Sequence, residues 1–497
     1  MSRARLRRWT LAAGPRYRAP DLASIEGVAA AGTETRSATV TYYDTEDLRL
    51  ARWGCRLCHG GDGWTLMLGR DGASGPQLVD REMHFAGTAA GPPDAAVDLV
   101  TGLTRGAPLH RVLRTRSETV HTSLATLDGD ALADIVDERV TVLEGRRITS
   151  RFRDIHLTAL RGGNHGHEHL IDAALALVRD AGAAVEDPAQ SSARALGPAA
   201  LHEADVVAPA MTRRSSAADA IRSAIAGSVA RLILYDAAVR IGQDPEGVHQ
   251  ARVATRRLRS DLRTFRTLLD EAWTQRLRDD LHGLADQLGK VRDADVLLGR
   301  LSEAVASLPE RDRPGAAPAL AALSRSRDEA RAELLHVLRS PAYTALLDEL
   351  VAAAADPHTT PEAAGNAADL LPPLAATPWR RLRKRVSSLG DNPPDADLHQ
   401  VRILAKRARY AAEAVAPVAR RSVAAFARAV AAVQDQLGEH HDAVVAEAWL
   451  HGPGAAGADA FALGELVGLE RARASRARAG WPRFWKAAKS AHPSKWA

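Results

Sequence analysis

The chain has 497 residues, 46% hydrophobic and 26% charged, a composition that supports two or three cored domains and excludes a disordered polypeptide. No apolar run approaches the roughly 18–20 residues of a membrane span, and the basic first twenty residues lack the apolar segment of a signal peptide, so a cytoplasmic chain is expected. Net charge is only +5, yet of the 66 basic residues 60 are Arg, and the first Lys is Lys290; guanidinium groups match phosphate oxygens in bidentate geometry, so their placement matters more than their sum.

Residues 1 to about 160 read mostly as strands. Ser37–Tyr43, Cys55–His59, Trp64–Leu68, Gln77–Phe85, Val112–Leu124 and Ile148–Leu160 mix β-branched, aromatic and alternating residues between Gly-rich turns such as residues 60–63. Cys55, Cys58 and His59 spell a c-type haem attachment site, but attachment needs export, so they are read as ordinary strand residues and no cofactor is expected. The run His165–His169 opens a predicted helix, His169–Gly182; with no further ligand set beside it, it reads as a surface loop and not as a metal site. From Ala183 to about Ser215 the chain is rich in Ala, Pro and Ser, as a linker is. Beyond it, Ala, Leu and Arg at helical spacing take over, interrupted by Pro-rich gaps at Leu308–Pro318, Ala355–Pro378 and Gly390–Asp397.

The stretch Val248–Asp270 is the most informative of these helices. At about 100° per residue, His249, Arg252, Arg256, Arg259, Arg263 and Arg266 share one third of its circumference, with Ala251, Ala254, Leu258, Leu262, Phe265 and Leu269 roughly opposite. Such a helix buries one side and offers a rail of cations on the other. A second copy follows 150 residues later, where His399, Arg402, Lys406 and Arg409 repeat the rail and Val401, Leu404, Ala408 and Val415 the apolar stripe. Asp286–Asp293 likewise recurs as Asp435–Asp442, offset by 149, so the two copies hold their spacing over two motifs. Two similar bundles presenting both rails to one surface are expected. Arg222, Arg231 and the run Arg380–Arg385, with Arg381 and Lys384, extend the cationic patch. Regularly spaced cations suit a linear polyanion, and no nucleophile or metal set accompanies the histidines, so binding without catalysis is expected.

Two family resemblances add to this reading. Tyr42–Leu50, followed by Gly54 and Trp64-Thr65-Leu66, resembles the CYTH family, or triphosphate tunnel metalloenzymes; Arg81-Glu82, Arg114, Arg116 and Asp137–Val140 are further echoes. The resemblance implies an antiparallel β-barrel whose tunnel holds a triphosphate and a divalent metal. The departures are in the chemistry. Where the family opens with an ExExK strand, this chain reads Arg5-Leu6-Arg7-Arg8-Trp9; Met67 replaces a lysine, Cys58 stands near an expected arginine, and His156 and Thr158 replace two glutamates. Metal-dependent hydrolysis needs clustered hard oxygen ligands, so a catalytically inactive domain is expected over residues 1–205.

The two repeated boxes, H-x-x-R-V-x-x-R-R-x-R and L-G-x-x-R-D-x-D, resemble the CHAD family over residues 211–497, with pseudo-repeats at about 211–355 and 375–497. That resemblance implies an all-α duplicated helical bundle that binds inorganic polyphosphate and localises to polyphosphate granules. It implies ligand contacts at His249, Arg252, Arg256, Arg259, His399, Arg402, Lys406 and Arg409, with Asp293 and Asp442 orienting basic side chains. The expected architecture is therefore a two-domain α+β chain. Alternatives are a triphosphatase or polyphosphatase working through an altered CYTH tunnel, and a general polyanion or nucleic-acid binder. Against the last, single-strand stacking needs exposed aromatics, and aromatic residues make up just 4% of the chain.

Overall fold

The computed structural model describes residues 7–493 except 62, 70–80, 146, 161–166, 187–193, 213 and 420. The chain divides into two compact units, Met1–Asp205 and Val206–Ala497. The first is built on an antiparallel sheet and the second is all-helical, the α+β layout expected from the sequence.

In the first unit the described strands are β1 (Arg8–Ala13), β2 (Val28–Asp44), β3 (Arg56–Gly60), β4 (Gly63–Leu68), β5 (Arg81–Phe85), β6 (His110–Thr126), β7 (Ala131–Glu144), β8 (Arg147–Ala159) and β9 (Ala183–Val185). They pair antiparallel in the order β5-β4-β3-β2-β6-β7-β8-β1-β9. Alternation sends Leu11, Leu124, Ile135, Ile155 and Leu157 to one face. There Leu170, Ala174 and Val178 of a helix at Glu168–Asp180 cover them. The intervening residues Thr10, Glu138 and His156 belong to the other face, where Thr10 Oγ1 lies 3.2 Å from His156 Nδ1.

Each predicted strand falls on an observed one, although residues 77–80 and Arg5 lie outside the described residues. Strand β7, the first half of β2 and a helix at Asp94–Thr104 were not foreseen. The expected linker is also not wholly irregular, because Ala183–Val185 pairs with Leu11–Ala13 as an edge strand. Of the His-rich run, His165 and Gly166 lie outside the described residues, while Glu168 and His169 begin the helix. The residues of the CYTH-like box have a structural task. Buried Asp44 accepts hydrogen bonds from the backbone N–H groups of Thr45 (2.7 Å), Leu50 (2.8 Å) and Ala51 (2.9 Å) and so fixes the turn into Arg49–Arg52.

We number the helices of the first unit α1 (Arg49–Arg52), α2 (Asp94–Thr104) and α3 (Glu168–Asp180). The second unit follows with α4 (Ala217–Ile241), α5 (Pro245–Thr264), α6 (Glu271–Ser307), α7 (Arg313–Leu338), α8 (Pro341–Ala355) and α9 (Ala367–Leu370). It ends with α10 (Pro372–Ser387), α11 (Asp395–Val415), α12 (Arg421–His451) and α13 (Ala460–Ser490). The two rail helices are α5 and α11. Each packs against the helix before and after it, and the two also pack on each other.

Helix α5 begins where Asp244 accepts from the Glu246 N–H at 2.8 Å and Pro245 takes the first turn, in which its missing N–H has no helical partner anyway. It ends earlier than the periodicity predicts. Fully buried Phe265 leaves the helix at φ −90°, ψ 4°, and Arg266–Leu268 form a single 3-10 turn that buries Leu268 and Leu269. Arg266 is therefore off the helix, though next to its end. The gap expected at Leu308–Pro318 is also shorter. Helix α7 starts at Arg313 with Pro314 in its first turn and tolerates Pro318 inside it.

Candidate functional site

Burial of Val248, Ala251, Ala254, Leu258 and Leu262 on α5, and of Leu398, Val401, Ala405, Ala408, Ala412 and Val415 on α11, turns both rails toward a common region. The Arg256 guanidinium carbon lies 5.1 Å from the centre of the Tyr410 ring, with that of Arg409 at 5.7 Å. The charges feel one another across the two helices. Arg256 is pushed below the usual arginine range first by burial and then by Arg252, Arg409 and Arg402. Burial, followed by Arg402, Arg256 and Arg252, takes Lys406 down to about 7. Thus Arg252 and Arg256 of the first rail and Arg402, Lys406 and Arg409 of the second form one cationic centre.

The second pair of motifs holds the arginines in place. Arg252 is 3.0 Å from Asp293, and Arg402 is 3.9 Å from Asp442, the corresponding residues on α6 and α12. The glycines of the two L-G boxes leave room for them. A Cβ at Gly289 would sit 3.9 Å from Arg252 Nε, and one at Gly438 would sit 3.8 Å from Arg402 Nε. Asp293 pairs with the Arg252 guanidinium, and Asp442 faces that of Arg402 at a longer distance.

Histidines flank the centre. His399 and His441 meet at 3.2 Å between their Nδ1 atoms, so one ring donates and the other accepts. Burial, with Arg402, His399 and Lys406 nearby, takes His441 down to about 4. His249 is lowered by burial and then by Arg292. Buried His440 is 3.2 Å from Asp395.

The two rail segments carry two internal acids, Asp261 and Glu413. Asp261, 2% exposed, is pushed up to about 8 by burial, which favours its uncharged form. Glu413 is already engaged by Arg257 at 2.6 Å and Arg409 at 2.7 Å. Buried Nε atoms of Arg256, Arg259 and Arg402 and the Tyr410 hydroxyl have no hydrogen-bond partner among the described residues. A set of partly desolvated cations with unspent donors is suited to hold an anion of several charges.

Arg259 and Arg263 continue the first rail beside Arg266, Arg278 and Arg407. Among the described residues, no ion pair, hydrogen bond or resolved charge effect ties half-buried Arg222, or exposed Arg381 and Lys384, to the centre. Arg231 donates to Gln250 of α5 at 2.9 Å, and Arg385 is paired with Asp397. Arg292, His441, Arg278 and Arg407, which the sequence reading does not single out, also lie near the rails. The first two have a sequence signal, since the 149-residue offset makes them equivalent; Arg292 acts electrostatically on His249, and His441 touches His399.

In the first unit, acids of the sheet and of the segment after it are engaged by basic side chains. Arg153 Nε is 2.7 Å from Asp137, Arg194 pairs with Asp154 and Glu186, and His156 is 3.8 Å from Glu138. Among the described residues, no group of three or more His, Cys, Asp or Glu is placed to hold a metal ion. Buried Cys55 accepts from the Gly69 N–H at 3.4 Å, and Cys58 lies within β3.

Residues 223–451 match the model of the CHAD domain family. The chain is 30% identical over 494 residues to the uncharacterized protein Rv2226 of Mycobacterium tuberculosis, covering 92% of this chain and 91% of that protein. Among solved structures, it is similar to PptA from Streptomyces chartreusis (27% identity, TM-score 0.45, 55% of this chain and 100% of that chain). It is also similar to the CHAD domain from the plant Ricinus communis (30% identity, TM-score 0.47, 58% of this chain and 96% of that one). The chain belongs to the family of the mycobacterial protein, and its helical unit carries a CHAD domain.

Proposed function

We propose that this protein binds inorganic polyphosphate at the convergence of the two rails, without catalysis, and that it associates with polyphosphate granules. The observation that carries the reading is the cationic centre of Arg252, Arg256, Arg402 and Lys406. Burial and mutual repulsion depress three of its four members' pKa values, and buried guanidinium donors there lack partners among the described residues. Each phosphate of a linear polyphosphate brings a charge and several acceptor oxygens, and successive cations one helical turn apart, about 5 Å along the axis, can follow it. A purely electrostatic site would take any polyanion. The scarcity of aromatic platforms, with Tyr410 buried under two guanidinium groups, supports phosphate chains over single-stranded nucleic acids.

The same reading assigns binding to the helical unit and no hydrolysis to the sheet; in its support, Asp44, Asp137, Glu138 and Asp154 of the sheet are engaged by arginine, histidine or backbone donors. A competition titration tests the proposal. Labelled long-chain polyphosphate should be displaced by unlabelled polyphosphate at concentrations well below those required of DNA or RNA. Equal displacement by nucleic acid at matched phosphate concentration would replace polyphosphate with a general polyanion. Phosphate release from tripolyphosphate with Mg²⁺ or Mn²⁺ would contradict the absence of catalysis.

A further inference from the structure

The 150-residue offset that relates the rails also relates the side chains between them. Arg257 of α5 corresponds to Arg407 of α11, and Arg263 of α5 corresponds to Glu413 of α11. On one side of the pseudo-symmetric pair the contact is a salt bridge, Arg257 to Glu413 at 2.6 Å, reinforced by Arg409. On the other side the same two positions carry Arg407 and Arg263, two like charges. Burial first, and then the charges of Arg407, Arg278, Arg259 and Arg266 in that order, hold the Arg263 pKa at about 10. The Nε atoms of Arg259 and Arg278 are buried without a hydrogen-bond partner among the described residues. Among the described residues, Arg278 has a 3.2 Å contact to Gln275 and the neighbouring Asp279 to offset its charge. A fold that can answer Arg257 with a carboxylate leaves its mate, Arg407, facing more arginine.

We propose that the cluster of Arg259, Arg263, Arg278 and Arg407 is a second phosphate subsite, in which an oxyanion of the bound chain takes the place that the Glu413 carboxylate fills in the opposite half. The inference rests on the polyphosphate reading and adds direction to it. A ligand leaves the centre toward the end of α5 and not toward that of α11, where Glu413 has consumed the equivalent cations. The separation from Arg256 to Arg263 along the helix is seven residues, about 10 Å, so a short chain seated at the centre does not reach both places fully and a long one does.

Arg263→Glu tests the subsite, because it rebuilds on this side the salt bridge that the other side already has. The variant should melt at or above the wild-type temperature, which shows that it folds. Its affinity for long-chain polyphosphate should drop about tenfold or more, and the slope of log affinity against log salt should shrink by roughly 1.5, about 0.7–0.9 for each of two lost contacts. Tripolyphosphate binding should stay within about twofold of wild type, whereas Arg402→Ala weakens both ligands. An unchanged salt slope with long chains overturns the subsite and leaves the central site standing. So does an equal loss for tripolyphosphate, which would make Arg263 part of a general field. If wild type binds neither ligand, the polyphosphate reading fails and the subsite with it.

Discussion

Lys406 gives the sharpest quantitative test of the electrostatics. In the free protein, burial and then Arg402, Arg256 and Arg252 bring its pKa to about 7, from an ordinary 10.5. At pH 8 such a group is roughly 90% neutral. A polyphosphate seated among the same arginines cancels their repulsion and returns the pKa toward its ordinary value, so binding at pH 8 must take up about 0.9 proton. Affinity should then fall by up to about tenfold per pH unit above 7, until the pKa of the bound state is reached. Calorimetric titration at pH 8 in two buffers of different ionisation enthalpy reads the uptake directly. His441, held near 4, stays neutral at pH 8 and does not confuse the measurement unless binding raises it by several units. Lys406→Arg keeps a permanent charge and should bind with uptake abolished. Absence of proton uptake in the wild type, or equal uptake in Lys406→Arg, would refute the assignment. With the folded pKa depressed, the unfolded chain holds more protons between pH 7 and 10.5, so this group's contribution to stability rises with pH across that window.

Substitutions at three further positions have outcomes set by the geometry. Gly438→Ala adds a Cβ at ordinary contact distance from Arg402 and should stabilise the protein by about 0.5–1 kcal/mol through helix propensity, with binding retained. Gly438→Leu has no such room and should displace Arg402, cutting polyphosphate affinity without removing a charge; unchanged affinity in the leucine variant would show that Arg402 is not a contact. Asp44→Ala removes the acceptor for three backbone N–H groups and should destabilise the sheet unit by about 2 kcal/mol in chemical denaturation, while polyphosphate affinity of the folded protein stays unchanged. Leu258→Ala, at a fully buried position beneath the first rail, should cost about 2–5 kcal/mol in stability.

Much of the candidate site was legible because it is written twice. One helix with arginines on one face is an ordinary solvated helix, but His249, Arg252, Arg256 and Arg259 reappearing as His399, Arg402, Lys406 and Arg409 fixes attention on that face. What the sequence could not show is which cations meet. Arg263 and Glu413 occupy equivalent positions on the two helices, and only packing reveals that Glu413 reaches across to Arg257 while Arg263 lies in the field of Arg407. Arg381 and Lys384 sit in the densest basic run of the chain, yet α10 presents them outward, since local charge density does not determine which side of a helix is buried. The end of α5 was misplaced because Phe265 and Leu269 keep the apolar spacing after the backbone has left the helix, so periodicity alone does not register the turn. In the sheet, the strands with clean alternation were readable. Strand β7 was passed over because its buried face mixes Ile135 with Asp137, whose partner Arg153 lies on the neighbouring strand. The box at Tyr42–Leu50 illustrates a different limit: its residues carry a family resemblance, while the physical role of Asp44 is to cap a turn.

The central claim is that the two rails form one polyphosphate site. An equilibrium titration of long-chain polyphosphate against the wild type and the Arg252→Ala/Arg256→Ala/Arg402→Ala/Lys406→Ala variant, at fixed salt, tests it most directly. Loss of four charge-assisted contacts should weaken binding at least about a hundredfold and lower the salt slope by roughly 3, with helical content unchanged by circular dichroism. Wild-type affinity in that variant would place the ligand elsewhere and contradict the account.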